Sequence, residues 1–167
     1  MRLLDKYRTE WRTALDERIK QYDVHIKAMA KDCTPAQQLM QLMDVGPTTA
    51  TAIVAGVATS VGNGAEFSSG RQVAAWIGLV PGQYSSGGKA RLGRITKAGD
   101  AYLRSLLVLG ARAVLNAAAA KSDSLSRWAV KLAERRGYWK AVVAIAAKNA
   151  RMAWAVLARG ETFKLPV

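Results

Sequence analysis

A hydroxyl pair, a run of glycines and a cluster of cations fall within residues 78–104. Ser85 and Ser86 directly precede Gly87-Gly88, and glycine lets the backbone adopt positive φ or approach a ligand closely. A serine near cations could attack a phosphate, because positive charge favours the alkoxide and stabilises charge developing on phosphate oxygens. We therefore expect a flexible loop with Ser86 or Ser85 as nucleophile, although serines in glycine-rich loops are most often turn residues. The cations are Lys89, Arg91, Arg94, Lys97 and Arg104.

Arg104 falls near the start of an expected helix that begins at Gly99 or Asp100. The free N–H groups and the positive dipole end of a helix lie at the same place. Arg104 is therefore expected to complete an anion site there. Further candidate DNA contacts are Lys89, Arg91, Arg94 and Lys97.

Other catalytic chemistries fit the composition poorly. The acids after the first helix are scattered, whereas Mg²⁺-dependent enzymes gather several carboxylates. One histidine, His25, and one cysteine, Cys33, argue against a histidine-based triad and a cysteine zinc site. We expect this chain to bind no metal or cofactor itself. The scattered acids are Asp32, Asp44, Glu66, Asp100, Asp123, Glu134 and Glu161.

The net charge of +13 and the pI near 10.3 favour a polyanionic partner, either nucleic acid or an anionic membrane. Apolar stretches are interrupted by basic residues before they reach spanning length, and the N-terminus has no signal-peptide core. We expect a cytoplasmic protein without a membrane segment. The interrupting residues are Arg104, Arg112, Lys148 and Arg151.

The first 31 residues contain neither glycine nor proline and predict one long helix. Its apolar positions are spaced four, three, four and three residues apart, which is typical of a coiled-coil seam. Residues 1–33 are therefore interpreted as an association helix that pairs with this chain or, as we expect, with another copy. The seam residues are Leu15, Ile19, Tyr22, Ile26 and Met29.

A helix-hairpin-helix is predicted next. Thr34 can cap a helix that runs to about Met43, and Pro47 can begin another after Gly46. Backbone N–H groups at such a helix start, around Gly46 and Thr48, can hold a DNA phosphate without reading sequence. A plain interhelical turn is an equal alternative, because Asp44 would repel a phosphate.

The remaining pattern predicts further helices and an all-α domain over residues 34–167. Short apolar faces precede Gly78 and follow Ser124, and longer ones follow Asp100 and Gly137. The last two helices carry basic residues with little acid, which favours contact with nucleic acid over a merely solvated face.

Several of these segments resemble one protein family in order and spacing. They are Gly78-Leu79-Val80-Pro81, Ser86-Gly87, Ile95-Thr96-Lys97-Ala98-Gly99-Asp100, Leu103-Arg104, Met43-Asp44-Val45-Gly46-Pro47, Phe67-Ser68-Ser69 and the helix from Tyr138 to Arg159. Together they are similar to the C-terminal, serine-bearing domain of the insertion-sequence transposases related to the Piv DNA invertase. The first helix is similar to the connecting coiled coil of that family.

The resemblance implies DNA recombination through a covalent phosphoserine link, with Ser86 as nucleophile and Ser85 as the alternative. It also implies a guide RNA and an N-terminal RuvC-like domain whose acidic tetrad binds Mg²⁺. Because no such domain lies in this sequence, we expect a truncated copy that needs the acidic domain for activity. The competing interpretation is a basic helical module that binds DNA or RNA without catalysis.

Overall fold

The computed structural model describes residues 2–43, 45–61, 67–86 and 89–160. Helices dominate these residues, which confirms the expected helical class in outline. The elements are α1 (Arg2–Asp32), α2 (Thr34–Leu39), α3 (Pro47–Val61), α4 (Gly70–Trp76), β1 (Pro81–Ser86), β2 (Lys89–Ile95), α5 (Ala101–Ala118), α6 (Ser124–Arg136) and α7 (Tyr138–Arg159).

The core is built around α7, which packs against α2, α4, α5 and α6. Its small buried residues allow close approach: Gly70 of α4 lies so near Arg151 that an added Cβ would be 2.9 Å from the Arg151 backbone. By length and apolarity α7 could cross a bilayer, but its apolar face forms the core of the helical body. The buried positions of α7 are Ala141, Val142, Ile145, Ala146, Asn149, Ala150, Ala153 and Val156.

Local capping signals fix the starts of α5 and α6. The Asp100 carboxylate accepts from the N–H groups of Tyr102 (2.7 Å) and Leu103 (3.0 Å). Asp123 does the same for α6, accepting from Leu125 (3.0 Å) and Ser126 (2.9 Å). Side-chain oxygens satisfy helix N–H groups that otherwise lack intrahelical partners. These helix starts confirm the boundaries expected from sequence.

Only the C-terminal end of the first helix is buried against the other helices. Its C-terminal end enters the core, where Ala30 is fully buried and Ile26 is half-buried. Most of its apolar stripe faces solvent, with Trp11 69% and Ile19 56% exposed. Exposed apolar stripes favour association with another helix. The coiled-coil pairing and the domain boundary at residue 33 stay predictions.

The segment expected to be a flexible loop contains a two-stranded antiparallel hairpin instead, so that expectation was wrong for β1 and β2. Neither strand shows the long apolar alternation that usually indicates strands, because the hairpin does not cover the core. Cross-strand packing adds to the backbone pairing: the Tyr84 ring lies near Gly93, where an added Cβ would be 3.1 Å from Tyr84 Cε2. An aromatic side chain covering a strand glycine stabilises such a pair.

Two boundaries near the predicted helix-hairpin-helix differ from expectation. Cys33, not Thr34, occupies the N-cap position of α2, with Pro35 in the first turn. The helix ends at Leu39 rather than near Met43, and turns lead from there towards α3. Buried Asn149 of α7 donates from Nδ2 to the Met43 carbonyl at 3.4 Å, which ties this connection to the core.

Candidate nucleic-acid interface

The hairpin, hereafter the hairpin arm (Pro81–Ser86 and Lys89–Ile95), carries the candidate nucleophiles near its tip. Its register pairs Ser86 with Lys89 and Ser85 with Ala90. Directly opposite residues of an antiparallel pair have Cβ atoms ~4.5–5.5 Å apart. The backbone therefore distinguishes the two serines, because only Ser86 lies opposite a cationic residue. The serine side chains and Gly87-Gly88 lie outside what the structure describes.

The hairpin arm is cationic and open to solvent. Lys89, Arg91 and Arg94 are exposed, and none of them forms a salt bridge within the described part of the chain. Tyr84 is 76% and Leu92 67% exposed, so the arm also presents apolar surface. The strands pair chiefly with each other rather than with a helix. An exposed arm with unneutralised cations can lie along a polyanion.

The base of the hairpin arm is anchored to the helical body through the backbone. Thr96 N–H donates to the Val80 carbonyl (2.9 Å), and Lys97 N–H donates to the Gly78 carbonyl (3.1 Å). Gly78 (φ 77) and Gly99 (φ 72) adopt the left-handed conformation, and an added Cβ at Gly99 would lie 1.9 Å from the Trp76 carbonyl oxygen. The approach is so close that only glycine fits.

Arg104 fastens the same base from α5. Its Nη1 donates to the carbonyls of Ile77 (2.8 Å) and Ala98 (3.0 Å), on the two sides of the hairpin arm. Asp100 occupies the N–H groups of Tyr102 and Leu103 that were expected to face an anion. Arg104 therefore joins the segments on the two sides of the hairpin arm, while its contact with DNA stays a prediction.

Lys97 links the arm to α5 and is exposed, with φ 55 in the left-handed region. Side chains with a Cβ rarely adopt this conformation, because it crowds the Cβ against the following carbonyl oxygen. Lys97 lies at the base of the arm, and its contact with DNA stays a prediction.

The turn before α3 leaves its expected phosphate contacts accessible. Gly46 is exposed and Thr48 half-buried, and the Gly46 carbonyl accepts the first helical bond, from Ala50 N–H (2.9 Å). No atom within 4 Å would contact an added Cβ at Gly46. The fold itself thus does not require glycine there. Asp44, the acid expected to repel phosphate, lies outside the described residues, and phosphate binding at this turn stays a prediction.

No group of three or more potential metal ligands occurs among the described residues. Two of the scattered acids, Asp100 and Asp123, serve as helix caps. His25 is exposed on α1, and Cys33 is half-buried beside the core. The described residues therefore do not fit a multi-carboxylate Mg²⁺ site.

The structural role of Arg104 was missed from the sequence, because its bond to Ile77 spans 27 positions and has no local signal. The basic character of the last two helices was expected, and the structure gathers part of it into a row on α6, in which Arg127, Lys131 and Arg135 line one open groove. Their four-residue spacing was visible in the sequence and places them on one helix face.

Comparisons with known proteins identify similar sequences. Residues 36–127 match the model of the transposase IS116/IS110/IS902 family. The chain is 44% identical over 162 residues to a "probable family 20 transposase" of Pseudomonas aeruginosa, which covers 97% of this chain and 46% of that protein. It is also 44% identical over 149 residues to the transposase for insertion sequence element IS1111A of Coxiella burnetii, covering 89% and 40%. The chain thus spans less than half the length of these relatives.

Proposed function

The chain belongs to the transposase IS116/IS110/IS902 family, and we propose that it acts in the cytoplasm as the serine-bearing domain of a DNA transposase. The observation that carries this proposal is the register of the hairpin arm, which sets Ser86 opposite Lys89 on an exposed cationic element. Similarity to proteins named transposases supports the choice of DNA as the substrate.

The proposed reaction has two phosphoryl transfers. In the first, the Ser86 hydroxyl oxygen attacks the phosphorus of a DNA phosphodiester, forming a serine–phosphate bond while the bond from phosphorus to one strand's oxygen breaks. That oxygen leaves with a proton, and the serine proton passes to solvent or to a base outside this chain. In the second, a hydroxyl of another DNA strand attacks the same phosphorus and releases Ser86. Ser85 is the alternative nucleophile.

The cations of the hairpin arm would promote both transfers. Lys89 at the paired position would favour the serine alkoxide, because a nearby positive charge stabilises the charged form of the hydroxyl. Arg91 and Arg94 on the same arm would neutralise phosphate oxygens as their charge develops. Lys97 and the remaining donors of Arg104 would contact the flanking phosphates at the base of the arm.

The acidic half of the proposed active site lies outside the described residues. The family resemblance assigns Mg²⁺ to an N-terminal RuvC-like acidic domain, and no step in this chain passes through a metal. A guide RNA and a second copy paired through α1 are further proposed partners. The exposed stripe of α1 supports the second of these.

A non-catalytic DNA- or RNA-binding module is the competing function. The exposed cations of the hairpin arm and of α6 support it equally, because phosphate contacts need charge but no nucleophile. The two proposals differ in one respect: only a transposase forms a covalent bond between protein and DNA.

Trapping that bond tests the proposal. The chain would be fused to, or mixed with, an acidic domain from a full-length relative, together with Mg²⁺, the element's RNA and radiolabelled DNA. We expect a denaturation-resistant DNA–protein adduct that disappears in Ser86→Ala and persists in Ser85→Ala.

Each other outcome has a distinct meaning. Loss of the adduct only in Ser85→Ala would move the nucleophile by one residue. An adduct that survives both substitutions would rule out the serine mechanism. If an active full-length relative forms adducts under the same conditions and this chain forms none, the non-catalytic module is favoured.

A further inference from the structure

Within the part of the chain that the structure describes, a further cationic surface lies on α6, away from the hairpin arm in the sequence. We propose that the α6 basic row (Arg127, Lys131 and Arg135) is a binding site for the phosphate backbone of duplex DNA. The proposal rests on the proposed function only in its choice of DNA as the polyanion.

The length of the α6 basic row fits the phosphates of a DNA strand better than a single small anion. Residues four apart advance ~6 Å along a helix, so the row is ~12 Å long. Phosphates of one duplex strand advance ~3.4 Å per nucleotide along the duplex axis. A row of this length is therefore too long for one phosphate and can reach more than one phosphate of a strand.

The charges of the row are available to a ligand. All three side chains are exposed, and none is paired with a carboxylate in a salt bridge among the described residues. The nearby Asp123 is engaged by the N–H groups of Leu125 and Ser126 and by the Ser126 hydroxyl (2.6 Å). Unpaired cations carry counterions whose release drives binding to nucleic acid.

The floor of the groove explains why a duplex fits better than a single strand. The groove is lined by the row together with Ser124, Trp128 and Leu132. Single-strand sites use open aromatic faces on which bases stack. Here the Lys148 Nζ lies over the Trp128 ring, 4.9 Å from its centroid, and Trp128 is half-buried. Trp128 therefore offers only part of its ring for base stacking, and the charges of the row suit a strand whose bases stay stacked inside a duplex.

Salt-dependent binding tests the row. The full chain and the triple variant Arg127→Gln/Lys131→Gln/Arg135→Gln would be titrated into a fluorescein-labelled DNA duplex at several salt concentrations. We expect the slope of log affinity against log salt to become shallower by ~2–3, and binding near physiological salt to weaken about tenfold.

A triple variant on α1, Arg8→Gln/Arg12→Gln/Lys20→Gln, makes the same change in net charge at exposed positions and is expected to keep the wild-type slope. A second variant, Arg127→Lys/Lys131→Arg/Arg135→Lys, keeps the charges and is expected to restore binding. Circular dichroism of the triple variants verifies that they are folded.

Three outcomes would overturn the proposal: equal losses in the α6 and α1 variants, wild-type protein that does not bind the duplex, or a loss confined to an RNA hairpin probe. The row and the proposed function can fail separately. If the serine-dependent adduct forms but the α6 variant binds duplex DNA like the wild type, the transposase function stands and the α6 site does not. If the α6 variant loses duplex binding but no adduct forms, the α6 site stands and the transposase function does not.

Discussion

Arg104 Nη1 donates to the Ile77 carbonyl oxygen at 2.8 Å, across 27 positions of sequence. The same nitrogen donates to the Ala98 carbonyl at 3.0 Å, so one guanidinium joins the segments that enter and leave the hairpin arm. The arm itself packs little against the helices. Its orientation therefore depends on this contact and on the backbone bonds beside it.

Replacing Arg104 should loosen the base of the arm. We expect Arg104→Met to lower the free energy of unfolding by about 2 kcal/mol, because charged donors contribute more than neutral ones and two carbonyls lose their partner. Urea denaturation measures the change. Arg104→Lys keeps the charge but lacks the planar fork, and should recover only part of the loss. Full recovery in Arg104→Lys would mean that charge alone matters.

Lys97 offers a way to separate stability from DNA binding. Its left-handed φ of 55 disfavours any side chain, so Lys97→Gly should raise the free energy of unfolding by up to ~1 kcal/mol. Lys97→Gln keeps the unfavourable conformation and should leave stability nearly unchanged. Both variants remove the charge, and both should bind duplex DNA more weakly in a titration at low salt. Unchanged affinity in both would remove Lys97 from the interface.

Gly46 tests the predicted phosphate contact at the start of α3. Because an added Cβ there meets nothing within 4 Å and φ is not positive, Gly46→Ala should cost at most the ~1 kcal/mol of a poorer N-cap and leave the protein folded. If a DNA phosphate approaches this backbone, the methyl group should weaken duplex binding several-fold. Gly99→Ala is the contrasting variant, because its Cβ would collide with the Trp76 carbonyl oxygen and should prevent stable folding. Wild-type binding by Gly46→Ala would support the plain turn.

The features that could be predicted from sequence are those with local causes. Asp123 caps α6 by accepting from N–H groups two and three residues away, and Gly137 (φ 85) separates α6 from α7. Both helix boundaries could therefore be predicted from the residue type at one position. The hairpin arm was missed because its two strands pair with each other outside the core and show no buried apolar face. The contact between Tyr84 and Gly93 crosses the strands and leaves no local signal in the sequence. The strand register, which places Ser86 and not Ser85 opposite Lys89, could not be predicted because the strands themselves were not.

Asp123 should make stability depend on pH. The hydrogen bond from the Ser126 hydroxyl, with those from the N–H groups of Ser126 and Leu125, holds the pKa of Asp123 below its ordinary value. A carboxylate with a lowered folded-state pKa contributes stability above its unfolded pKa of ~4, and loses it as pH falls through the folded value. Asp123→Asn should therefore be less stable than wild type at neutral pH, and the difference should shrink in acid.

Denaturation at a series of pH values measures this difference. Asp16 lies on the exposed part of α1 and caps no helix, so Asp16→Asn is the matched control for the loss of one carboxylate from the surface. A difference for Asp123→Asn that is constant from neutral to acidic pH would show that the charge of the cap is unimportant.

The exposed stripe of α1 should hold two copies of the chain together. Ile19 is 56% exposed and Tyr22 59%, although both occupy seam positions. Burying an isoleucine contributes ~1.5–3 kcal/mol, so Ile19→Glu, which changes both copies, should weaken a dimer by about a hundredfold or more. Light scattering after size-exclusion chromatography measures the mass. Gln21→Glu adds the same charge on the opposite face of the helix and should leave the dimer intact. Wild-type protein that stays monomeric at high concentration, or equal dissociation in both variants, would contradict association through the stripe.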